Sequence, residues 1–276
     1  MTGRAAAQAA SDALFGHWRD GTVLDDLPEA MRPSTRAEGY AAQARLEARS
    51  ARPLFGWKIA ATSAAGQSHI NVDGPLAGRL LSEMVHADAA SLPFGANRMR
   101  VAEAEFAFRM GRDLPPRAAP YGVEEVMAAV ATLHSAIEVP DSRFADFTRA
   151  GAPQLIADNA CAHQFVLGPA TGADWRALDL AAHPVRGTVD GTVAEGRGAN
   201  ALGDPRLALA WLANELSGLG ITLAAGQMVT TGTCVVPMPV QPGVEVVADL
   251  GILGSTTMRF TGQEPGWPPQ STASTM

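Results

Sequence analysis

From residue 99 onward, apolar positions alternate with polar or small ones at the two-residue period of a half-buried strand. The runs are MRVAEAEFAFRMG, AIEVPDSRF, ACAHQFVLG, HPVRGTVDGTVAEG, QMVTTGTCVVPMPV and VEVVADLGILGSTTMRF, and Asp190-Gly191 between two alternating runs predicts a hairpin. GWKIAATS (56–63) adds a short strand, followed by a helical turn in SAAGQSHI. Helical spacing predicts helices over 123–136 and 204–220, the first introduced by the loop PPRAAPYG and the second ending at Gly220. Residues 4–50 are helical too: Gly21 stops one helix, and Ser34 or Thr35 caps a second with Glu38 beyond. Strands and helices do not alternate regularly, which favours a mixed or mainly antiparallel sheet with outer helices over a doubly wound α/β fold. The expected division is a helical N-terminal segment over 1–55, a strand-rich main domain over 56–262 and a disordered Pro- and Ser-rich tail over 263–276.

Composition narrows the class. Twenty-one Lys plus Arg against 28 Asp plus Glu leave a net charge of −7, which speaks against a nucleic-acid surface. No stretch approaches the roughly 18–20 apolar residues of a membrane span. The N-terminus, interrupted by Asp12, makes a poor signal peptide. Two cysteines, Cys161 and Cys234, are no disulfide framework, and a cytoplasmic setting is expected.

Familiar catalytic signatures are missing: there is no G-x-S-x-G, no H-E-x-x-H and no close cysteine pair. GRGANALG (196–203) has the wrong glycine spacing for a dinucleotide site and follows a hairpin. The chemistry lies in RVAEAEFAFRMGRDL, where Glu103 and Glu105 share one face of a strand otherwise carrying Val101, Phe106 and Phe108. On the pair alone, an edge strand with a solvated acidic face accounts for them. Glu138, between Ile137 and Val139 in a second apolar run, changes that reading: three carboxylates in apolar strands suit a hard divalent cation, Mg²⁺, Mn²⁺ or Ca²⁺.

GWKIA, RVAEAEFAFRMGRDLP, AIEVPDSRF, IADNACAHQFVLG, GRGANALGDPRLALAWLANEL, VTTGTC and VQPGVEV, in this order and spacing, resemble the fumarylacetoacetate hydrolase superfamily. More narrowly they resemble its 2-keto-4-pentenoate hydratase and 4-oxalocrotonate decarboxylase branch, over roughly residues 10–260. The resemblance implies an α+β fold, a mixed β-roll with outer helices and a small helical N-terminal segment. It implies Mg²⁺ or Mn²⁺ on Glu103, Glu105 and Glu138, and homo-oligomers. A complex with a paired decarboxylase or hydratase subunit is a further implied partner. By position it makes Lys58 the active-site lysine, aligns Asp158 and Asn159 with the family's D-N pair, and puts Thr231 and Gly232 at its substrate-side turn. A small 2-oxo acid would chelate the cation. Lys58, of lowered pKa in apolar company, would shuttle a proton or clamp substrate, and Asp158 would orient water or move a proton. The implied reaction is addition of water to a 2-hydroxydienoate or 2-oxo-enoate in aromatic-compound degradation. Decarboxylation of an oxalocrotonate-like diacid, hydrolysis of an acylpyruvate and keto–enol tautomerisation are the alternatives. A structural subunit without chemistry also competes, and the intact glutamate triad counts against it.

In NVDGPLAGRLL (71–81) the chain departs from that branch: Leu76 stands at the acidic position and Arg79 at the threonine position. Arg79 is therefore expected either to grip a second substrate carboxylate through a bidentate fork or to pair with an acid of the protein. His69, next to this stretch, is the candidate replacement acid or base, whereas His163 reads as structural. Asp204, where the family often has His, reads as a helix cap ahead of Pro205.

Overall fold

Apolar runs interrupted by turn residues every few positions produce short strands, and the computed structural model, which describes residues 3–262, gathers them into two sheets. The expected disorder of 263–276 falls outside the described residues. The N-terminal segment forms α1 (Gly3–Asp20) and α2 (Arg36–Gln43), which runs on as a 3-10 turn over Ala44–Arg49. Gly21, at φ +62°, follows the end of α1, and Thr35 rather than Ser34 caps α2 in a reciprocal capping box with Glu38. Next come β1 (Gly56–Ala60), α3 (Ala64–His69), β2 (Leu76–Leu80), β3 (Val85–Ala87) and β4 (Ala90–Pro93). The middle of the chain supplies β5 (Val101–Met110), α4 (Val123–Ala128), β6 (Val130–Val139), α5 (Phe147–Ala157) and β7 (Gln164–Ala170). A hairpin follows, β8 (Pro184–Val189) and β9 (Thr192–Arg197), turning through Asp190 and Gly191, both at positive φ. The remainder is α6 (Pro205–Gly218), β10 (Met228–Thr230), β11 (Met238–Pro239), β12 (Glu245–Asp249) and β13 (Ser255–Thr261). Asp204 caps α6, with Pro205 opening its first turn.

Three sequence expectations change. The helix expected over 123–136 stops at Ala128, because Val130 onward pairs with β5 along its length, from Met110↔Val130 to Glu103↔Glu138. Helix α5 was not foreseen: Gly151, at φ +76°, and Pro153 break the helical pattern in the sequence as they kink the helix itself. QMVTTGTCVVPMPV is two short strands, β10 and β11, parted by a loop.

The larger sheet runs β2-β1-β10-β5-β6-β7-β3, with β11 also on β5; the smaller runs β4-β13-β12-β8-β9. Most pairings are antiparallel, with β1–β10, β3–β7 and β4–β13 parallel. Laid flat, seven strands would put β2 and β3 about 29 Å apart. The five steps of chain from Leu80 to Val85 reach about 18 Å at most. The sheet is therefore rolled, as the resemblance implied. Its outer face, carrying Phe106, Phe108, Leu133 and Ile137, shares one core with Val246, Ala248, Met258 and Phe260 of the smaller sheet, and Ala7, Leu14 and Tyr40 of the N-terminal segment join that core. Trp18 of α1 packs with Leu81 and Met84 over the seam where the roll closes. Inside the roll, Leu80, Ala107, Ala136, Phe165 and Met228 form a separate buried cluster. Among the described residues no helix is long and apolar enough to cross a membrane.

Candidate active site

The inner face of the roll continues from that apolar cluster into charge. Glu103 and Glu105 lie on the Ala107 face of β5, and Glu138 on the Ala136 face of β6, directly opposite Glu103. Thr230 pairs with Ala107, and Lys58 with Thr230 and Gly78, so five residues predicted or found at the site share one surface. Glu103 is half-buried, while Glu105, Glu138 and Lys58 are enclosed.

Each glutamate offers an oxygen within 4.8 Å of the others'. Lys58 Nζ lies 2.8 Å from Glu138 Oε1 and donates to the Ala160 carbonyl at 3.0 Å. Glu105 Oε2 accepts from the Thr230 hydroxyl and, at 2.8 Å, from the Gly232 N–H. Glu105 Oε1 and Glu138 Oε2 are buried and have no hydrogen-bond partner among the described residues. An orphaned buried carboxylate oxygen is costly, and two of them within a triad whose oxygens approach to within 4.8 Å suit a bound cation. Three carboxylates against one ammonium leave two negative charges, which one divalent ion neutralises. An all-oxygen donor set matches a hard cation of the Mg²⁺, Mn²⁺ or Ca²⁺ kind.

Burial, then the charge of Glu138, pushes the Glu103 carboxyl up to about 7. Glu105 also rises, from burial and the charges of Glu138 and Glu103, against the pull of Thr230 and Lys58. Lys58 was expected to lose affinity for its proton. Burial does act that way, but the charges of Glu138 and Glu103 outweigh it, and the ammonium ends above its ordinary range. It is also the only lysine in the chain.

The loops that carry these contacts are strained. Gly232 sits at φ +96°, where a Cβ would collide with Thr62 Oγ1. Asn159, Ala160 and Cys161 are all left-handed, at φ 57°, 51° and 60°. Each non-glycine residue in that region costs about 1–2 kcal/mol, least for Asn. Strain of this kind persists only where surrounding bonds hold it. Here Asp158 anchors the turn: its carboxylate pairs with Arg143 and accepts from Ser142 Oγ at 2.7 Å and the Arg143 N–H at 3.0 Å. The Cys161 thiol, pushed up to about 12 by burial, is inert.

Several predicted site residues are thus engaged elsewhere. Both oxygens of Asp158 are taken by Arg143 and Ser142, leaving no open base. The Asn159 amide binds the backbone of Arg79, accepting from its N–H at 2.7 Å and donating to its carbonyl at 2.9 Å. Arg79 faces Trp57 across the strand pair, on the opposite side of β2 from Gly78 and Lys58. Its guanidinium stacks on Trp57 and binds Glu47, at 2.6 Å, and Gln43, which is the protein-acid alternative rather than the substrate fork. His69 is exposed at the end of α3, edge-on to Phe147. Thr231 donates to the Phe106 carbonyl, and Gly232 contributes its N–H to Glu105. Leu76 is core. His163 accepts from Trp18 Nε1 at 3.0 Å, a structural role as read. Sequence reasoning missed Thr230, whose parity with Glu105 depends on a strand register no local pattern reveals, and the Ala160 carbonyl, which is backbone.

A rolled mixed sheet with three acids and a lysine on its inner face defines an enzyme scaffold whose acids could hold a metal ion. Residues 53–261 match the family model of the fumarylacetoacetate (FAA) hydrolase C-terminal region, and the chain belongs to the fumarylacetoacetate hydrolase family. A 2-keto-4-pentenoate hydratase of Paraburkholderia xenovorans (strain LB400) is 30% identical over 261 residues, 93% of this chain and 96% of its own. A 2-hydroxyhexa-2,4-dienoate hydratase of Comamonas testosteroni is 32% identical over 222 residues, covering 79% and 82% of the two chains. Among solved structures, 4-oxalocrotonate decarboxylase from Pseudomonas putida G7, complexed with magnesium and adipate, superposes with a TM-score of 0.83. It is 27% identical, over 92% of this chain and 97% of that one.

Proposed function

We propose that the protein is a divalent-metal-dependent hydro-lyase that adds water to a 2-hydroxydienoate or 2-oxo-enoate, giving a 4-hydroxy-2-oxo acid, in the breakdown of aromatic compounds. The observation that carries this reading is the pair of orphaned oxygens on Glu105 and Glu138 beside Glu103. These three residues would hold the cation, Mg²⁺ or Mn²⁺, which when bound supplies charge to stabilise an enolate-like oxygen of a chelating 2-oxo acid. Lys58 stays protonated and directs its ammonium at that same point, where it orients the substrate's carboxylate or keto oxygen and can hand a proton to the enolised carbon. Thr230 and the Gly232 N–H fix the orientation of Glu105. Asp158 and Asn159 act through the backbone instead of touching substrate. The apolar floor, from Leu80 to Met228, keeps water away from the inner side of the site.

The diacid reading loses the residue that favoured it, because Arg79 is turned toward Glu47. Decarboxylation is therefore the second choice, kept by the likeness to the P. putida enzyme, with acylpyruvate hydrolysis and tautomerisation behind it. A cytoplasmic setting agrees with two buried free thiols, and homo-oligomers with a paired decarboxylase or hydratase subunit belong to the same reading.

The test is an ultraviolet assay with Mg²⁺ or Mn²⁺, offering 2-hydroxypenta-2,4-dienoate and 2-oxohex-3-enedioate separately and recording product masses and carbon dioxide. Loss of diene absorbance with gain of one water, abolished by a chelator and by Glu105→Ala, supports the hydratase. Carbon dioxide from the diacid, with the dienoate untouched, overturns it in favour of the decarboxylase.

A further inference from the structure

Lys58 has a flexible four-carbon stem, and nothing on β1 itself fixes where its ammonium points. Besides its pairing with Glu138 Oε1 at 2.8 Å, two features outside the strand do so. Gly78 lets the stem pass: a Cβ there would stand 2.9 Å from Lys58 Cγ and Cδ and 2.5 Å from the Asn159 carbonyl oxygen. The Ala160 carbonyl then receives the ammonium from a turn of three consecutive left-handed residues. A turn of that kind reverts unless it is held. The Asn159 side chain holds it to β2 by meeting both backbone groups of Arg79, as a neighbouring strand would. Arg79 is itself immobilised by Trp57, Gln43 and Glu47. The link is continuous: α2 and its 3-10 extension, Arg79, Asn159, Ala160, Lys58.

We infer that Asn159 is a positioning residue for Lys58: its amide clamps β2 to the left-handed turn, so that the Ala160 carbonyl fixes the lysine ammonium at the metal-binding triad. The part of this inference that concerns turnover rests on the function proposed above; the part that concerns lysine geometry does not.

Because Lys58 is the only lysine, protein grown with ¹³C,¹⁵N-lysine and carbonyl-¹³C-labelled alanine gives a single lysine side-chain signal free of overlap, with the Ala160 carbonyl carbon visible to it. The wild-type protein should show one narrow ammonium resonance with slow proton exchange and a coupling through the hydrogen bond to the Ala160 carbonyl carbon. Absence of that coupling in the wild type overturns the inference without any variant. Asn159→Gly keeps the positive φ but removes the amide. It should release the ammonium, raising its proton exchange about tenfold or more, and should lower kcat by up to about a hundredfold with KM little changed, as expected for a misplaced group. Circular dichroism and Mn²⁺ binding should be retained. Asn159→Asp, which keeps the acceptor half of the clamp, should fall between. A wild-type-like lysine signal in Asn159→Gly sinks the proposal, as does a signal lost only in proportion to unfolding. If the wild type turns over none of the candidate acids while the variant still frees the lysine, the functional reading fails and the clamp stands.

Discussion

Replacing Thr230 by Val removes one hydroxyl and leaves the shape of a fully buried site almost unchanged. That hydroxyl donates to Glu105 Oε2, which keeps only the Gly232 N–H afterwards. A hydrogen bond to a charged group contributes about 1.5–3 kcal/mol. Burial already lifts the Glu105 carboxyl, so the metal-free protein can keep it protonated and escape much of the loss. The cation-bound form cannot, because its ligand must be ionised. The deficit therefore falls on metal affinity, which at 1.4 kcal/mol per decade weakens about 10- to 150-fold. Loss of a partner that orients a metal ligand has effects of the same order. Calorimetric titration of chelator-treated protein with Mn²⁺ measures it, with thermal unfolding of the metal-free protein as control. A dissociation constant within about threefold of wild type, some 0.6 kcal/mol, would refute the idea that Thr230 supports the metal ligand.

Gly232→Ala should be harsher, since the new methyl meets Thr62 Oγ1 in a backbone region closed to alanine. The expected result is a drop of several degrees in Tm together with loss of Mn²⁺ binding, and normal binding would contradict the assigned role of its N–H. In the metal-free protein Glu103 binds its proton up to about pH 7, above the ordinary carboxylate range. Its folded form thus gives up stability as pH rises from about 4.5 to about 7, and a cation must displace that proton at the acid end. The gain in Tm from saturating Mg²⁺ should accordingly be larger at pH 8 than at pH 6, and equal gains would count against buried ligands. Arg79→Leu leaves the Gln43 oxygen unsatisfied, at about 1–3 kcal/mol. It should lower Tm without changing KM for the diacid relative to the monoacid; a selective rise for the diacid would restore the substrate fork. His163 is held neutral by burial, its pKa lowered to about 3. The stability it contributes is present above its unfolded value near 6.5 and fades as pH falls toward 3. His163→Phe should therefore flatten that part of the stability profile, read by urea midpoints at stepped pH.

The glutamate triad was legible in the sequence because strand period makes Glu103 and Glu105 neighbours on one face, and an acid between Ile137 and Val139 has no ordinary reason to be there. Capping chemistry at Thr35, Asp204 and the Asp190-Gly191 turn was equally local and equally readable. What escaped depended on distance along the chain. Val130–Leu133 fits a helix until β5 supplies a ladder for it. Arg79 and Lys58 sit on strands whose opposite faces are decided by one register, Trp57↔Arg79 and Lys58↔Gly78. Asp158 and Asn159 align by position with the family's D-N pair, but no local pattern tells that their bonds go to Arg143 and to the backbone of Arg79.

The rolled sheet also divides the site by the order in which it can be assembled. Glu103, Glu105 and Glu138 lie on two strands that are antiparallel neighbours, so the part proposed to bind a cation needs only one closure of the chain. Thr230 reaches Glu105 across 125 residues of sequence, and Ala160 reaches Lys58 across 102. Distant pairings form late because their loops must close first. During refolding, cation affinity should return before turnover, with the lysine arriving only once the seam under Trp18 has shut.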